Sequence, residues 1–136
     1  MAEYKKPLPL PKPWSKKFWD GTKENKYLIQ MCKDCSTKIF YPRKFCPECW
    51  SVNLDWVESK GTGKIYSFTV THSGAEESFA EDYPYVLALV DLDEGIRVMT
   101  NIVDYDPNGI KIGMKVEVTF REINEEMKLP VFRPIN

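Results

Sequence analysis

The sequence predicts a mostly β chain in three parts: a Pro-rich arm and short helix over residues 1–26, a small cysteine ribbon over 27–60, and a five-stranded barrel over 61–136. Three observations carry this reading. All four cysteines fall within "CKDCSTKIFYPRKFCPECW", residues 32–50. Downstream, five runs rich in β-branched and aromatic residues alternate with turn signals. Upstream, proline recurs at every second position from Pro7 to Pro13 and then stops. A length of 136 residues suffices for one ordinary domain or two very small ones.

The arm, "KKPLPLPKP", cannot form a helix or a central strand and is expected to be extended. Its Leu8 and Leu10, with Trp14 beyond, either lie on the chain's own fold or reach across a partner. Ser15 is placed to cap the helix that follows, and Phe18 and Trp19, with Tyr27 or Leu28, give it an apolar stripe. Gly21 weakens that helix. Tyr27 to Met31 reads as the first strand of the ribbon.

The cysteines form two C-x-x-C pairs separated by ten residues. The opening "MAEYKKPLPLPKPW" lacks the apolar core of a signal peptide, and no apolar run reaches the ~18 residues of a membrane span, so a cytoplasmic location is expected. Disulfides are rare there and clustered cysteines more often hold a metal. Two C-x-x-C turns present four sulfurs in the tetrahedral arrangement that Zn²⁺ accepts, which makes Cys32, Cys35, Cys46 and Cys49 the expected ligands. Iron is the alternative metal for such a set, and two disulfides or four buried thiols are the alternative without one. Four thiolates leave no open position for water or substrate, so the expected zinc is structural. Ser36 and Trp50 follow the two pairs, where glycine is common. Phe40, Tyr41, Phe45 and Trp50 are expected as the ribbon's miniature core, with a partner-facing role as the alternative.

"GKIYSFTVTHS", "PYVLALVDLD", "IRVMTNIVD", "KVEVTFREI" and "MKLPVFRP" are the five barrel strands. "DLDEG" is a tight hairpin between the second and third, and "DPNGIKIG" is a turn-rich link with room for one helical turn. Five short strands opened by Gly61 and Gly63 suit a closed OB-like barrel, with an open sheet as the fallback.

Such barrels often hold single-stranded nucleic acid, but the charge distribution argues against that partner. The chain has 19 basic and 20 acidic side chains, yet residues 61–136 carry thirteen acids against seven bases. The acids Glu76, Glu77, Glu81 and Asp82 cluster after the first barrel strand, where a phosphate backbone would be repelled. The bases Lys5, Lys6, Lys12, Lys16 and Lys17 collect at the front, either as a solvated face or as a contact for an anionic group. No nucleophile elbow, P-loop or dinucleotide fingerprint occurs. The single histidine, His72, has no cysteine free to activate. The residues by themselves therefore describe a binding or assembly module.

Taken in order, "FWDG", "LIQMCKDCSTKIFYPRKFCPECW", "LDWVESKGTGKIYSFTVTH", "YVLALVDLDEGIRVMTNIVD", "IKIGMKVEVTF" and "LPVFRP" resemble the DUF35 family from about Trp14 onward. The resemblance implies an N-terminal helix, a rubredoxin-like zinc ribbon and an OB-fold barrel. It also implies a non-catalytic subunit beside a thiolase-fold enzyme acting on acyl-CoA substrates. Members of the family accompany thiolases, thiolase-like aldolases or enoyl-CoA hydratase-type subunits. Some belong to anaerobic aromatic degradation, as in a benzoylsuccinyl-CoA thiolase. On this reading the larger subunit carries the chemistry, and CoA or acyl-CoA is bound in the complex. Trp14, Lys16, Lys17, Phe18 and Trp19 are the residues offered for partner or CoA contact, with packing of the helix on its own ribbon as the alternative for Trp14, Phe18 and Trp19. A free-standing acyl-CoA binding module is the alternative.

Overall fold

The computed structural model describes residues 6–74 and 77–135. Lys5 and Glu76, part of the charge clusters above, lie outside the described residues. The helix α1 (Lys16–Lys23) leads into three short strands, β1 (Leu28–Cys32), β2 (Lys38–Ile39) and β3 (Leu54–Glu58), ordered β2-β1-β3 with β1 antiparallel to both neighbours. The remaining strands are β4 (Thr62–Thr71), β5 (Tyr85–Leu92), β6 (Arg97–Ile102), β7 (Lys115–Glu122) and β8 (Lys128–Pro134). They close a barrel in the order β4-β5-β6-β8-β7, with β7 returning to β4. The pair β6 and β8 is parallel, through Ile102 and Phe132. That order, closed and with one parallel pair, is an OB-type barrel.

Each expected barrel run overlaps one observed strand. Alternation explains why: along β5, Val86, Ala88, Val90 and Leu92 point inward and are buried, with less buried side chains between them. The link after β6 forms turns, without the helical turn allowed for it. The acidic segment Glu77–Asp82 is a short 3₁₀ helix where a plain loop was expected. Ser15 occupies the N-cap position of α1, but its hydroxyl makes no cap bond. Instead it accepts from the Lys12 N–H at 2.9 Å and donates to the Lys12 carbonyl at 3.3 Å, closing a turn between arm and helix. Gly21 belongs in this helix because the chain returns closely over it. A Cβ there would sit 2.8 Å from Leu28 Cδ1.

Helix, ribbon and barrel share one core. Phe18, Tyr27 and Ile29 join Ile65, Val86, Val90, Val98, Val116 and Phe132 in a continuous apolar cluster. Phe18 stands edge-on to Tyr27 (5.9 Å) and Phe40 (5.7 Å), and Tyr27 edge-on to Phe132 (5.7 Å). The "DLDEG" hairpin also holds the ribbon. Glu94 accepts from the Ser59 hydroxyl at 2.9 Å and the Lys60 N–H at 2.9 Å, and its carbonyl accepts from Lys38 Nζ at 3.1 Å. Asp91 pairs with Arg97 at 2.7 Å, and Asp93 accepts from Thr62. Removing the Glu94 carboxylate takes away the acceptor of the buried Ser59 hydroxyl, which keeps only the bond it accepts from the Gly61 N–H at 2.9 Å, and frees the link between ribbon and barrel. Glu94→Ala should therefore cost about 1–3 kcal/mol in chemical denaturation, whereas Glu94→Gln should cost less. No helix among the described residues is long and apolar enough to cross a membrane.

Candidate metal centre

The two C-x-x-C turns are near copies of each other. In the first, the Ser36 N–H bonds the Cys32 carbonyl at 2.9 Å and the Cys32 N–H bonds the Thr37 carbonyl at 2.8 Å. In the second, Trp50 N–H bonds the Cys46 carbonyl at 2.9 Å and Cys46 N–H bonds the Ser51 carbonyl at 2.9 Å. Ser36 and Trp50 therefore occupy equivalent positions, and both are left-handed, at φ 62° and 65°. These are the positions where the sequence lacks glycine. A left-handed turn lets the chain double back without covering the sulfurs, and an L side chain bears a strain of about 1–2 kcal/mol there. Ser36→Gly should thus raise stability by up to about 1 kcal/mol, read as a higher melting midpoint at unchanged metal content.

The four Sγ atoms lie within 4.8 Å of one another, with Cys32–Cys49 at 3.5 Å and Cys35–Cys46 at 3.6 Å. All four cysteines are free, so neither disulfide forms in this structure. Four sulfurs about 2.3 Å from a tetrahedral centre would be about 3.8 Å apart, so the set fits a Cys₄ metal without rearrangement. Cys32 and Cys46 are fully buried, whereas Cys35 and Cys49 face out. The hydroxyl and backbone of Thr37 hold the Cys35 thiol down to about 6. At Cys49 the Ser51 backbone pulls the same way, but the crowd of sulfurs led by Cys32 leaves the thiol up at about 12. Four sulfurs this close favour thiolates together only around a cation.

The ribbon's interior is smaller than the aromatics suggested. Cys32, Ile39 and Cys46 form it, with Leu54 packed alongside. Tyr41, Phe45 and Trp50 are exposed, Trp50 at 73%. Phe40 alone of the four joins the main core, packed against Phe18 and Tyr27. Sulfurs fill the space that a miniature aromatic core would need.

The contact residues offered by the sequence separate. Phe18 is buried beneath the helix, so it packs this fold and is not a surface anchor. Trp19 is half-buried and edge-on to Phe18 at 5.1 Å. Lys16 pairs with Asp20 at 2.7 Å. Trp14 and Lys17 come together with Arg43, Lys44, Val52 and Trp56 in a shallow groove of about 420 Å³, where Lys44 Nζ lies 4.6 Å over the Trp14 ring. Elsewhere in the front cluster, Lys6 is paired to Asp82 and Lys12 is exposed. His72 is exposed just after β4.

Comparison with known proteins agrees with this geometry. Residues 19–55 match the model of the ChsH2 rubredoxin-like zinc ribbon domain, and residues 56–121 that of the ChsH2 C-terminal OB-fold domain. A DUF35 domain-containing scaffold protein of Methanocaldococcus jannaschii is 39% identical over 79% of this chain and 77% of its own length. The chain belongs to the DUF35 family. The solved DUF35 chain of an Ltp2-ChsH2(DUF35) aldolase superposes with a TM-score of 0.83 at 39% identity, covering 93% of this chain and 98% of that one. A probable enoyl-CoA hydratase alpha subunit of Thermomonospora curvata is 43% identical over 86% of this chain, which spans only 36% of that relative's length. A benzoylsuccinyl-CoA thiolase subunit of Geobacter metallireducens is more distant, at 34% over 52% of this chain and 46% of its own length.

Proposed function

We propose that this DUF35 chain is a non-catalytic, zinc-holding subunit of a thiolase-type complex that acts on acyl-CoA substrates. The observation that carries the reading is the match over nearly the whole of the DUF35 chain of a two-component aldolase. Relatives named as a thiolase subunit and as hydratase alpha subunits support the acyl-CoA setting. The distance of the benzoylsuccinyl-CoA thiolase subunits leaves the acyl group to be read from the partner. Cys32, Cys35, Cys46 and Cys49 would hold the metal, whose bound role is to cross-link two turns that share only a small apolar interior. This chain's own residues then present surface. Tyr27 and Phe132 fix the ribbon against the barrel, and Glu94 clamps the link between them. On this reading the chain divides into residues 1–26, 27–60 and 61–136, in a cytoplasmic protein.

The test is copurification of the tagged chain from its native cells, with mass spectrometry and metal analysis. A stoichiometric thiolase-fold subunit and one zinc per chain are the expected result. A lone chain with zinc and no partner would refute the subunit reading and favour a free-standing module.

A further inference from the structure

We infer that the outer face of the ribbon, through the groove of Trp14, Lys17, Arg43, Lys44, Val52 and Trp56 and through the exposed Trp50 ring, seats an acidic segment of the catalytic subunit that carries an apolar side chain between carboxylates. The inference rests on the subunit reading above and adds where the subunit docks and what chemistry docks there.

The first observation is Trp50. Its backbone is left-handed at φ 65°, a conformation that a bulky L residue adopts only under strain. Its ring is 73% exposed and stacks on Phe45 at 5.0 Å and 9°, and Phe45 is itself exposed. A glycine would relieve the backbone and remove the ring from water. Among the described residues, the stack on Phe45 is the ring contact set against both costs. Burial of the ring in a partner's pocket would offset them, and aromatic anchors of this kind dominate interface energies.

The second observation is charge. The groove has no carboxylate among its lining residues, but three cations, Lys17, Arg43 and Lys44. None of the three forms an ion pair with a described residue, whereas Lys16, Arg97, Arg121 and Arg133 each do. Phe45 and Trp50 flank this groove in sequence, one residue beyond Lys44 and two before Val52. Cations around an apolar floor match carboxylates around an apolar tip, an arrangement that also speeds encounter. Within the groove, the Trp14 face that a base would stack on is covered by the Lys44 ammonium.

The experiment uses the full metal-loaded chain and the catalytic subunit that copurifies with it, each purified, titrated by calorimetry. Trp50→Gly should keep its zinc and a melting midpoint at or above wild type, yet bind at least about 30-fold more weakly. The double variant Arg43→Glu/Lys44→Glu should bind at least about 10-fold more weakly, with a reduced salt dependence. Met99→Ser, an exposed residue on the barrel, should stay within about 2-fold of wild type. Wild-type binding by both ribbon variants would overturn the inference and leave the subunit reading standing. Wild-type subunit binding by these variants with loss of CoA or oligothymidylate binding would overturn it in favour of those ligands. No binding of the wild-type chain to the subunit would overturn both.

Discussion

Cys46→Ser should strip the chain of its metal and unfold the ribbon. Cys46 is fully buried, its Sγ 3.6 Å from that of Cys35 and 3.4 Å from the Glu48 N–H. A serine hydroxyl is shorter, harder and protonated at neutral pH, so it cannot replace a thiolate ligand. Structural zinc in zinc-finger peptides supplies about 10–16 kcal/mol of folding free energy near neutral pH. Here part of that load falls on the shared core, through Tyr27 and Ile29. Zinc content should fall from one per chain to near zero, and the melting midpoint by at least about 10 °C. A strong chelator should move the wild-type protein in the same direction. Unchanged metal and midpoint in the variant would remove the metal centre from the account.

Phe132→Ala should be the most damaging change in the barrel. Its ring is fully buried where β8 meets β6 and β7, and it faces the Tyr27 ring of the ribbon at 5.7 Å. Truncation removes apolar burial and leaves a cavity that strand backbones cannot close, a loss of about 3–5 kcal/mol. Because the two rings touch, Phe132→Ala and Tyr27→Ala together should cost less than the sum of the single changes. Urea denaturation of the four proteins measures both quantities. Strict additivity would mean that the Tyr27 and Phe132 rings do not stabilise each other.

Cysteine spacing and strand alternation were legible because both are local: each C-x-x-C fixes one turn, and each alternating run fixes one strand. The closed barrel expected from five short strands forms, but the pairing that closes it is not local. It depends on Phe132 reaching Ile102 in parallel, a pairing that no short window of sequence contains. The ribbon aromatics misled for a related reason. Tyr41, Phe45 and Trp50 have core-like composition, but the sulfurs and Ile39 fill the interior and displace them to the surface. For Phe18 the sequence left packing and contact both open, and its place beneath the helix is decided by Tyr27 and Phe40 closing over it. At Ser36 and Trp50 the two expected turns form with a left-handed backbone although neither residue is glycine. The acids of "DLDEG" read as turn chemistry, and Glu94 shows the further use of a carboxylate at a joint.

The arm resolves in part. Lys6 is held by Asp82, while Leu8 and Leu10 remain exposed at 47% and 79%. With Trp19, Met127 and neighbouring residues they border a hollow beside the helix. The central claim is that this chain supports an acyl-CoA enzyme without performing its chemistry. Its most direct test is reconstituted turnover of the complex's acyl-CoA substrate by the purified chain, the copurifying subunit, and the two together. The account predicts no turnover by the chain alone and full turnover only when the zinc-loaded chain is combined with the subunit. Turnover by the isolated chain, or full activity of the subunit without it, would contradict the account.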